Sequence, residues 1–356
     1  AAGVTLFFVL SGYLITTLLV REETAMRRIS LPLFYTRRAL RLFPALWLYL
    51  TVITLLWLAG RLPHHPWHSL VTSVLYIRNL VGRGHGTDHL WSLALEEQFY
   101  LIGPVVVVAL SWRRRLRLPV VLGIFLVVTA WRHHAALAGL ASAGALYIRT
   151  DFAIDGPLLG CALALAEARW PDLTRVWRSG RRPAVVAGLA LVGLAAWIGL
   201  GSNDLVRPAL QSTLVAGLGI PLVWSQAGSP GRGVGLIAWP PLVYLGQISY
   251  GVYLWQQLFL GPPTVGFELV RSLPLGWLAT LAVAASSYAL LEAPLLRLKD
   301  RCRPQFARGD SMMSAIPPEA RAQRLDSGCG RNPLPDAVNR DVSDRVGADL
   351  EPEVVK

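Results

Sequence analysis

Long apolar runs recur along this chain, and short groups of arginines separate them. An α-helix rises about 1.5 Å per residue, so roughly 20 apolar residues cover a hydrocarbon layer of about 30 Å. Hydrophobic residues make up 53% of the sequence and charged residues only 16%, and the apolar residues gather in separate runs rather than in one amphipathic core pattern. The sequence therefore predicts an all-α fold, a polytopic bundle of transmembrane helices.

Nine crossings are predicted from the lengths of these runs. They lie near residues 4–20, 41–60, 90–111, 118–131, 152–168, 184–200, 208–226, 240–260 and 266–292. Arginine-poor connections alternate with arginine clusters at 21–41, 112–117, 169–182 and 297–308. Because cytoplasmic loops carry an excess of basic residues, the arginine-rich side and the C-terminus are predicted to be cytoplasmic, with the protein in the cell membrane.

Two shorter apolar segments do not fit this alternation. A crossing by residues 135–148 would invert every later loop, so this segment is predicted to be extracytoplasmic or re-entrant, and so are residues 68–82. The same alternation starts the first helix on the outer side. It therefore implies that an odd number of crossings, most simply one, precedes residue 1.

The composition changes near residue 298. Residues 1–298 are predicted to form the membrane domain, and residues 299–356, which are rich in Pro, Gly, Arg and Asp, a disordered cytoplasmic tail. The net charge of +12 comes from clusters between apolar runs, so it indicates topology rather than nucleic-acid binding. The three cysteines include no CxxC pair, which indicates neither a disulfide framework nor a thiolate metal site.

Two adjacent glutamates lie in the apolar stretch HLWSLALEEQFYL. On a helix, His89, Ser92 and Glu96 share a face, and Tyr100 flanks it. A charged side chain at mid-membrane costs about 2.5–3.5 kcal/mol on insertion scales and usually faces a cavity or a partner. Glu96 and His89 are therefore the predicted catalytic pair, with Ser92 and Tyr100 in the pocket. Glu97 faces the more apolar side and is predicted to pair with an arginine of a neighbouring helix.

Three arginines begin another helix in FYTRRALRLFPALW. Arg38 and Arg41 are three residues apart, and Arg37 and Arg41 are four apart, so their guanidinium groups could clamp the phosphates of a nucleotide-like donor. Plain anchoring by positive charge on the cytoplasmic side explains the same cluster. Pro44 lies one turn further along and is predicted to kink the helix.

Polar residues also stand at the predicted outer mouth of a helix in YIRTDFAIDGPLLGCALA. Arg149, Asp151 and Asp155 are candidates for acceptor binding, although polar groups at such a mouth are ordinary. Glu292 precedes a proline near a cytoplasmic helix end, which indicates a structural role. All seven histidines lie in the two predicted outer regions, and no set of ligands around them predicts a metal site.

Six motifs in one order resemble the acyltransferase 3 family of integral membrane O-acyltransferases. They are GVTLFFVLSGYLIT, FYTRRALRLFPALW, HLWSLALEEQFYL, RTDFAIDGPLLGCALA, LGQISYGVYLWQQ and SYALLEAPLL. Together they extend over nearly all of residues 1–300. Each motif is weak evidence by itself, and the order of all six makes the resemblance specific.

The resemblance implies a ten-helix domain that moves an acyl group, usually acetyl, from cytoplasmic acyl-CoA to a hydroxyl of a carbohydrate or natural-product acceptor. It associates Arg38 and Arg41 with the donor and Glu96 with the active site. The family's principal histidine lies in a first helix that has no counterpart in this sequence. Gln256 stands where many members have histidine.

Two other functions account for some of the same features. A transporter or flippase would also contain intramembrane carboxylates and helix-breaking prolines, but the sequence shows no inverted internal repeat. A degenerate, non-catalytic family member would explain the absence of the first helix. The ordered motifs favour the enzyme.

Overall fold

The computed structural model describes residues 2–61, 67–81, 86–172, 239–261 and 274–301. These residues form helices, turns and irregular segments, with no strand among them, so the predicted all-α fold is confirmed. The helices are α1 (Ala2–Met26), α2 (Leu31–Leu58), α3 (Trp67–Val74), α4 (Leu90–Ala109), α5 (Arg114–Leu137), α6 (Ala143–Ile148), α7 (Thr150–Ala153), α8 (Asp155–Arg169), α9 (Pro240–Leu260), α10 (Leu275–Ser287) and α11 (Ala293–Arg301). A 3₁₀ turn, Ser111–Arg113, precedes α5, and a π-helical turn, Tyr288–Glu292, joins α10 to α11.

Five helical segments of the described chain are long and apolar enough to cross a membrane. They are Gly3–Met26, Leu31–Leu58, Leu90–Ala109, Ser111–Leu137 and Leu275–Arg297. Only 22–50% of the residues in their most apolar windows are buried, and large apolar side chains such as Phe7, Leu101 and Val127 face outwards. Helices that are apolar on their outer faces suit a lipid environment. The chain is therefore a multi-pass membrane protein.

The predicted count of nine crossings is not confirmed. The predicted crossings 184–200 and 208–226 lie outside the described residues. The predicted crossing 152–168 corresponds to α7 and to α8, which has 15 residues and is therefore about 22 Å long. The predicted crossing 240–260 is occupied by α9, which is not among the five segments above.

A buried ion pair brings two of the arginine clusters to one end of the bundle. Arg117, at the start of α5, donates to both carboxylate oxygens of Glu23, near the end of α1, at 2.6 and 2.9 Å. The clusters at 21–41 and 112–117 therefore lie on the same side, as the alternation of loops predicts. Arginines that pair with carboxylates in this way also join helices, so their role is not limited to anchoring by charge.

The described part of the predicted segment 68–82, which ends at residue 81, enters the bundle. Its short helix α3 has eight residues, too few to cross, and the carbonyl of Tyr76 accepts a hydrogen bond from Gln98 Nε2 at 2.7 Å. The same amide donates to Asn79 at 3.0 Å, and Asn79 donates to Thr150 at 2.6 Å. Gln98 lies roughly 12 Å along α4 from the helix start. These contacts fit the re-entrant alternative, because protein groups satisfy the polar backbone inside the bundle.

Two glycines let α1 and α8 pack backbone against backbone. A Cβ atom on Gly12 would lie 2.0 Å from the carbonyl oxygen of Pro157, and one on Gly160 would lie 2.0 Å from the carbonyl oxygen of Val9. Membrane helices commonly contact each other through such small residues. In lipid the hydrophobic effect does not drive helices together, so close van der Waals packing stabilises their association. This contact fixes α1, which carries Ser11, against the rest of the bundle.

We expect Gly160→Ala to destabilise the protein, because the new methyl group must displace backbone rather than a flexible side chain. Overpacking of this kind costs about 1–3 kcal/mol and sometimes more. The change in thermal unfolding temperature in detergent measures the effect. Gly123→Ala is the matched control, since no other helix or side chain among the described residues comes within 4 Å of a Cβ at that position of α5. Equal unfolding temperatures for the two variants would contradict the close packing.

Candidate active site

Glu96 lies at the centre of the candidate site, with 5% of its surface exposed. Ser11 of α1 donates a hydrogen bond to Glu96 Oε1 at 2.6 Å, and the hydroxyl of Tyr100 donates to the same oxygen at 3.3 Å. Glu96 therefore faces the interior of the bundle. Two hydroxyl donors from two helices offset part of the cost of burying this carboxylate.

Arg38 of α2 lies beside this carboxylate and has two partners on α4. Its Nη2 is 3.0 Å from Glu97 Oε1, and its Cζ lies 3.2 Å from the centroid of the Tyr100 ring. The ion pair predicted for Glu97 is therefore confirmed. The stack on Tyr100 is a cation–π contact, which is favourable when the guanidinium is shielded from water. Contacts thus run from Glu97 through Arg38 and Tyr100 to Glu96.

The other two arginines of the cluster have different surroundings. Arg37 lies 3.3 Å from Glu22 of α1. Arg41 lines a cavity of about 340 Å³, and Glu292, on the π-helical turn, forms part of its wall. Glu292 is buried and accepts a hydrogen bond from Ser287 at 3.3 Å. The remaining lining residues are Val243, Gly246, Gln247, Tyr250, Tyr288 and Leu296.

His89 and Ser92 lie at the other end of the polar face of α4. The hydroxyl of Tyr253 is 2.5 Å from Ser92 Oγ and also donates to the carbonyl of His89. The imidazole of His89 packs edge-on between Tyr49 and Tyr253, with ring centroids 5.5 and 5.3 Å away. Burial lowers the pKa of His89 to about 3, so the imidazole is neutral near pH 7.

The structure does not join His89 directly to Glu96. Both imidazole nitrogens are buried, the polar group that acts on the ring is the backbone of Leu254, and no carboxylate of the described residues bonds to either nitrogen. Ser92 lies one helical turn from each of the two side chains. The shared face predicted for the catalytic pair is present, but the direct contact is not.

The three residues predicted at the outer mouth separate into two ion pairs. Arg149 and Asp151 form a two-point pair at 3.0 Å, with 48% and 39% of their side chains exposed. Asp155 is buried and pairs with Arg132 of α5, whose Nη1 donates to Asp155 Oδ1 at 3.1 Å. Asp155 therefore connects two helices inside the bundle and does not share a surface with Arg149.

Three of these participants had no role in the predictions from sequence. Ser11 is a single hydroxyl in an apolar run, and Tyr253 lies in a motif without a charged residue, so neither stands out. Arg132 is followed by two histidines, which makes it look like a loop residue. Among the residues that the structure describes, no group of three or more His, Cys, Asp or Glu side chains could hold a metal ion.

Comparison with known proteins shows similarity to acyltransferases. The profile of the acyltransferase domain matches residues 1–291. The chain is 29% identical over 323 residues to the peptidoglycan O-acetyltransferase OatA of Listeria monocytogenes, which covers 82% of this chain and 51% of that protein. It is 26% identical over 328 residues to the O-acetyltransferase OatA of Staphylococcus aureus, which covers 82% of this chain and 52% of that protein.

The chain spans about half the length of the curated relatives it matches. No solved structure matches it. The family profile extends over most of the sequence and includes all the residues of the candidate site on α1, α2 and α4. The chain therefore belongs to the acyltransferase 3 family.

Proposed function

We propose that the protein is a membrane O-acetyltransferase that moves an acetyl group from acetyl-CoA to a hydroxyl of a carbohydrate of the peptidoglycan type. The observation that carries the proposal is the buried carboxylate of Glu96, which two hydroxyl groups contact and which lies beside Arg38 in a domain of this family. The names of the relatives support the acetyl group and the acceptor class, since the Listeria protein is a peptidoglycan O-acetyltransferase.

The reaction forms one bond and breaks another. The acceptor oxygen attacks the carbonyl carbon of the thioester, the new C–O ester bond forms, and the C–S bond breaks. The proton of the acceptor hydroxyl passes to a base and then to the leaving thiolate. An imidazole is the proposed base, and Glu96 would orient it and stabilise its cation. His89 is the described histidine on the face of Glu96, but it does not contact that carboxylate, and its pKa of about 3 makes it a weak base.

The cavity beside Arg41 is the proposed site for the donor. Its volume of about 340 Å³ falls in the range of small-molecule pockets. Arg41 can bind phosphate there, since guanidinium groups match phosphate oxygens. Arg38 is already paired with Glu97, but its buried Nε has no partner among the described residues and can donate one more hydrogen bond. Arg37 is the least supported of the three, because it is paired with Glu22 outside the cavity lining.

The acceptor is proposed to approach from the end of α4 that carries Ser92. The Ser92 hydroxyl, together with Tyr253, offers hydrogen bonds that suit a saccharide. Arg149 and Asp151 are exposed and remain candidates for acceptor contacts. Asp155 is better explained as a structural partner of Arg132.

The proposed orientation follows from the charge pattern. The end of the bundle that contains Glu23 and Arg117 is proposed to face the cytoplasm, with the protein in the cytoplasmic membrane. This orientation makes acetyl-CoA available to the cavity beside Arg41. Residues 1–298 are proposed as the membrane domain, and residues 299–356 as a polar cytoplasmic tail.

Product identification tests this function. Membranes that contain the full-length protein are supplied with radiolabelled acetyl-CoA and a peptidoglycan-type saccharide acceptor. We expect the label to be bound to the saccharide. Mild alkali should release that label, because an O-ester hydrolyses readily. Movement of the saccharide across the membrane without labelling would instead indicate a transporter and would overturn the proposal.

We expect Arg41→Gln to raise the KM for acetyl-CoA about ten- to hundredfold, because a hydrogen bond to a charged group is worth about 1.5–3 kcal/mol. Initial rates at a series of acetyl-CoA concentrations measure the change. Arg115→Gln is the matched control, since Arg115 is an exposed arginine at the start of α5 and does not line the cavity. An unchanged KM for acetyl-CoA in Arg41→Gln would contradict donor binding in this cavity.

A further inference from the structure

A continuous set of side-chain contacts joins α1, α2 and α4 at the candidate site. It begins at Glu97, passes through Arg38 and Tyr100 to Glu96, and ends at Ser11. We propose that Glu97 and Tyr100 are positioning residues that hold Arg38 and Glu96 as one unit. The proposal rests on the acyl transfer proposed above and assigns two residues a specific part in it.

Arg38 is fixed from two directions by residues of one helix. Glu97 and Tyr100 are three residues apart on α4, so both side chains reach the same neighbour. Glu97 contacts the edge of the guanidinium at 3.0 Å, and the ring of Tyr100 covers its face at 3.2 Å. A planar guanidinium held at both its edge and its face has a defined orientation. Lysine could not reproduce that arrangement.

Tyr100 also reaches the carboxylate one turn away. Its hydroxyl donates to Glu96 Oε1 at 3.3 Å, while Ser11 donates to the same oxygen at 2.6 Å. The longer of these two bonds can tighten when substrate binds, as hydrogen bonds in unliganded active sites often do. The ring of Tyr100 therefore holds Arg38, and its hydroxyl holds Glu96. Only a tyrosine supplies both contacts.

This geometry predicts which kinetic constant changes. Neither Glu97 nor Tyr100 lines the cavity that contains Arg41, and removal of the Tyr100 hydroxyl leaves the ring on Arg38 in place, so this change should leave donor affinity unchanged. Misplacing a reacting group by about 1 Å can lower turnover about a hundredfold. Changes at Glu97 and Tyr100 should therefore lower kcat, whereas Arg41→Gln raises the KM for acetyl-CoA.

Tyr100→Phe is the decisive variant, because it keeps the ring under Arg38 and removes only the hydroxyl. We expect kcat for acetyl transfer to fall about ten- to hundredfold with an unchanged KM for acetyl-CoA. Tyr35→Phe is the matched control. Its hydroxyl also joins α2 to α4, by donating to the carbonyl of Leu101 at 2.8 Å, but it lies near the surface and should leave both constants unchanged.

Glu97→Gln tests the other end of the unit. The variant leaves Arg38 without its carboxylate partner, which lowers the stability of the fold for a reason unrelated to catalysis. Glu23→Gln therefore accompanies it, since Glu23 also pairs with a buried arginine, Arg117, and is not one of the residues that link Glu97 to Ser11. We expect both variants to be less stable, and only Glu97→Gln to show a lower kcat per folded molecule.

The outcomes separate this inference from the function on which it rests. A lower kcat in Tyr100→Phe, with wild-type values in Tyr35→Phe, supports the positioning unit. Equal rates for the wild type and Tyr100→Phe would overturn the inference and leave the acyltransferase function intact. A wild-type protein that transfers no acetyl group would overturn both.

Discussion

Glu96→Gln is expected to reduce acetyl transfer by about 10²–10⁴-fold, the range that general acid–base catalysis supplies. Glutamine keeps the size of the side chain and can accept hydrogen bonds from Ser11 and Tyr100, but it has no negative charge to stabilise a protonated base. The release of free CoA thiol during turnover measures the loss. Because the fold keeps its contacts around position 96, the thermal unfolding temperature should change little.

The control for this prediction is a carboxylate with a structural role. Glu23 is also buried in α1 and pairs with Arg117 at 2.6 Å. We expect Glu23→Gln to lower the unfolding temperature and to keep kcat per folded molecule. The opposite pattern, in which Glu96→Gln is unstable but fully active, would make Glu96 a structural residue.

Asp155→Ala is expected to lower the free energy of unfolding by about 3–5 kcal/mol, the cost of removing one partner of a buried ion pair. Arg132 is 1% exposed and donates to both carboxylate oxygens of Asp155. The alanine variant would leave that guanidinium inside the bundle without its carboxylate. Denaturant or thermal unfolding in detergent measures the difference.

A double variant distinguishes structural from acceptor-binding roles for Asp155. Arg132→Met combined with Asp155→Leu replaces both charges with apolar groups, and such replacements are often neutral for stability. We expect it to recover most of the stability and the transfer activity. If the double variant is stable but no longer binds the acceptor, Asp155 has a role in acceptor binding.

The sequence predicted the residues of the candidate site better than their connections. Helical periodicity put Glu96 on the face of His89 and Ser92, and the cost of a charge inside the membrane predicted an arginine partner for Glu97. The identity of that arginine was not predictable, since it depends on how α2 packs against α4. The same limit explains why Ser11, which comes from a third helix, was missed.

The arginine clusters show a second limit of sequence patterns. Positive charge near helix ends predicts orientation, and the pair between Glu23 and Arg117 confirms that two clusters share a side. Charge alone could not show that Arg38 stacks on Tyr100 or that Arg41 borders a cavity. The direction of each side chain around the start of α2 decides these roles, and packing sets that direction.

One measurement tests the central claim most directly. It follows the transfer of labelled acetyl from acetyl-CoA to a saccharide hydroxyl in membranes that contain either the full-length wild type or its Glu96→Gln variant. Both proteins must be present at equal folded amounts, as judged by their elution from a size-exclusion column in detergent. We predict an alkali-labile O-acetyl product from the wild type and a rate at least about a hundredfold lower from the variant. Equal rates from the two proteins, or no labelled product from the wild type, would contradict it.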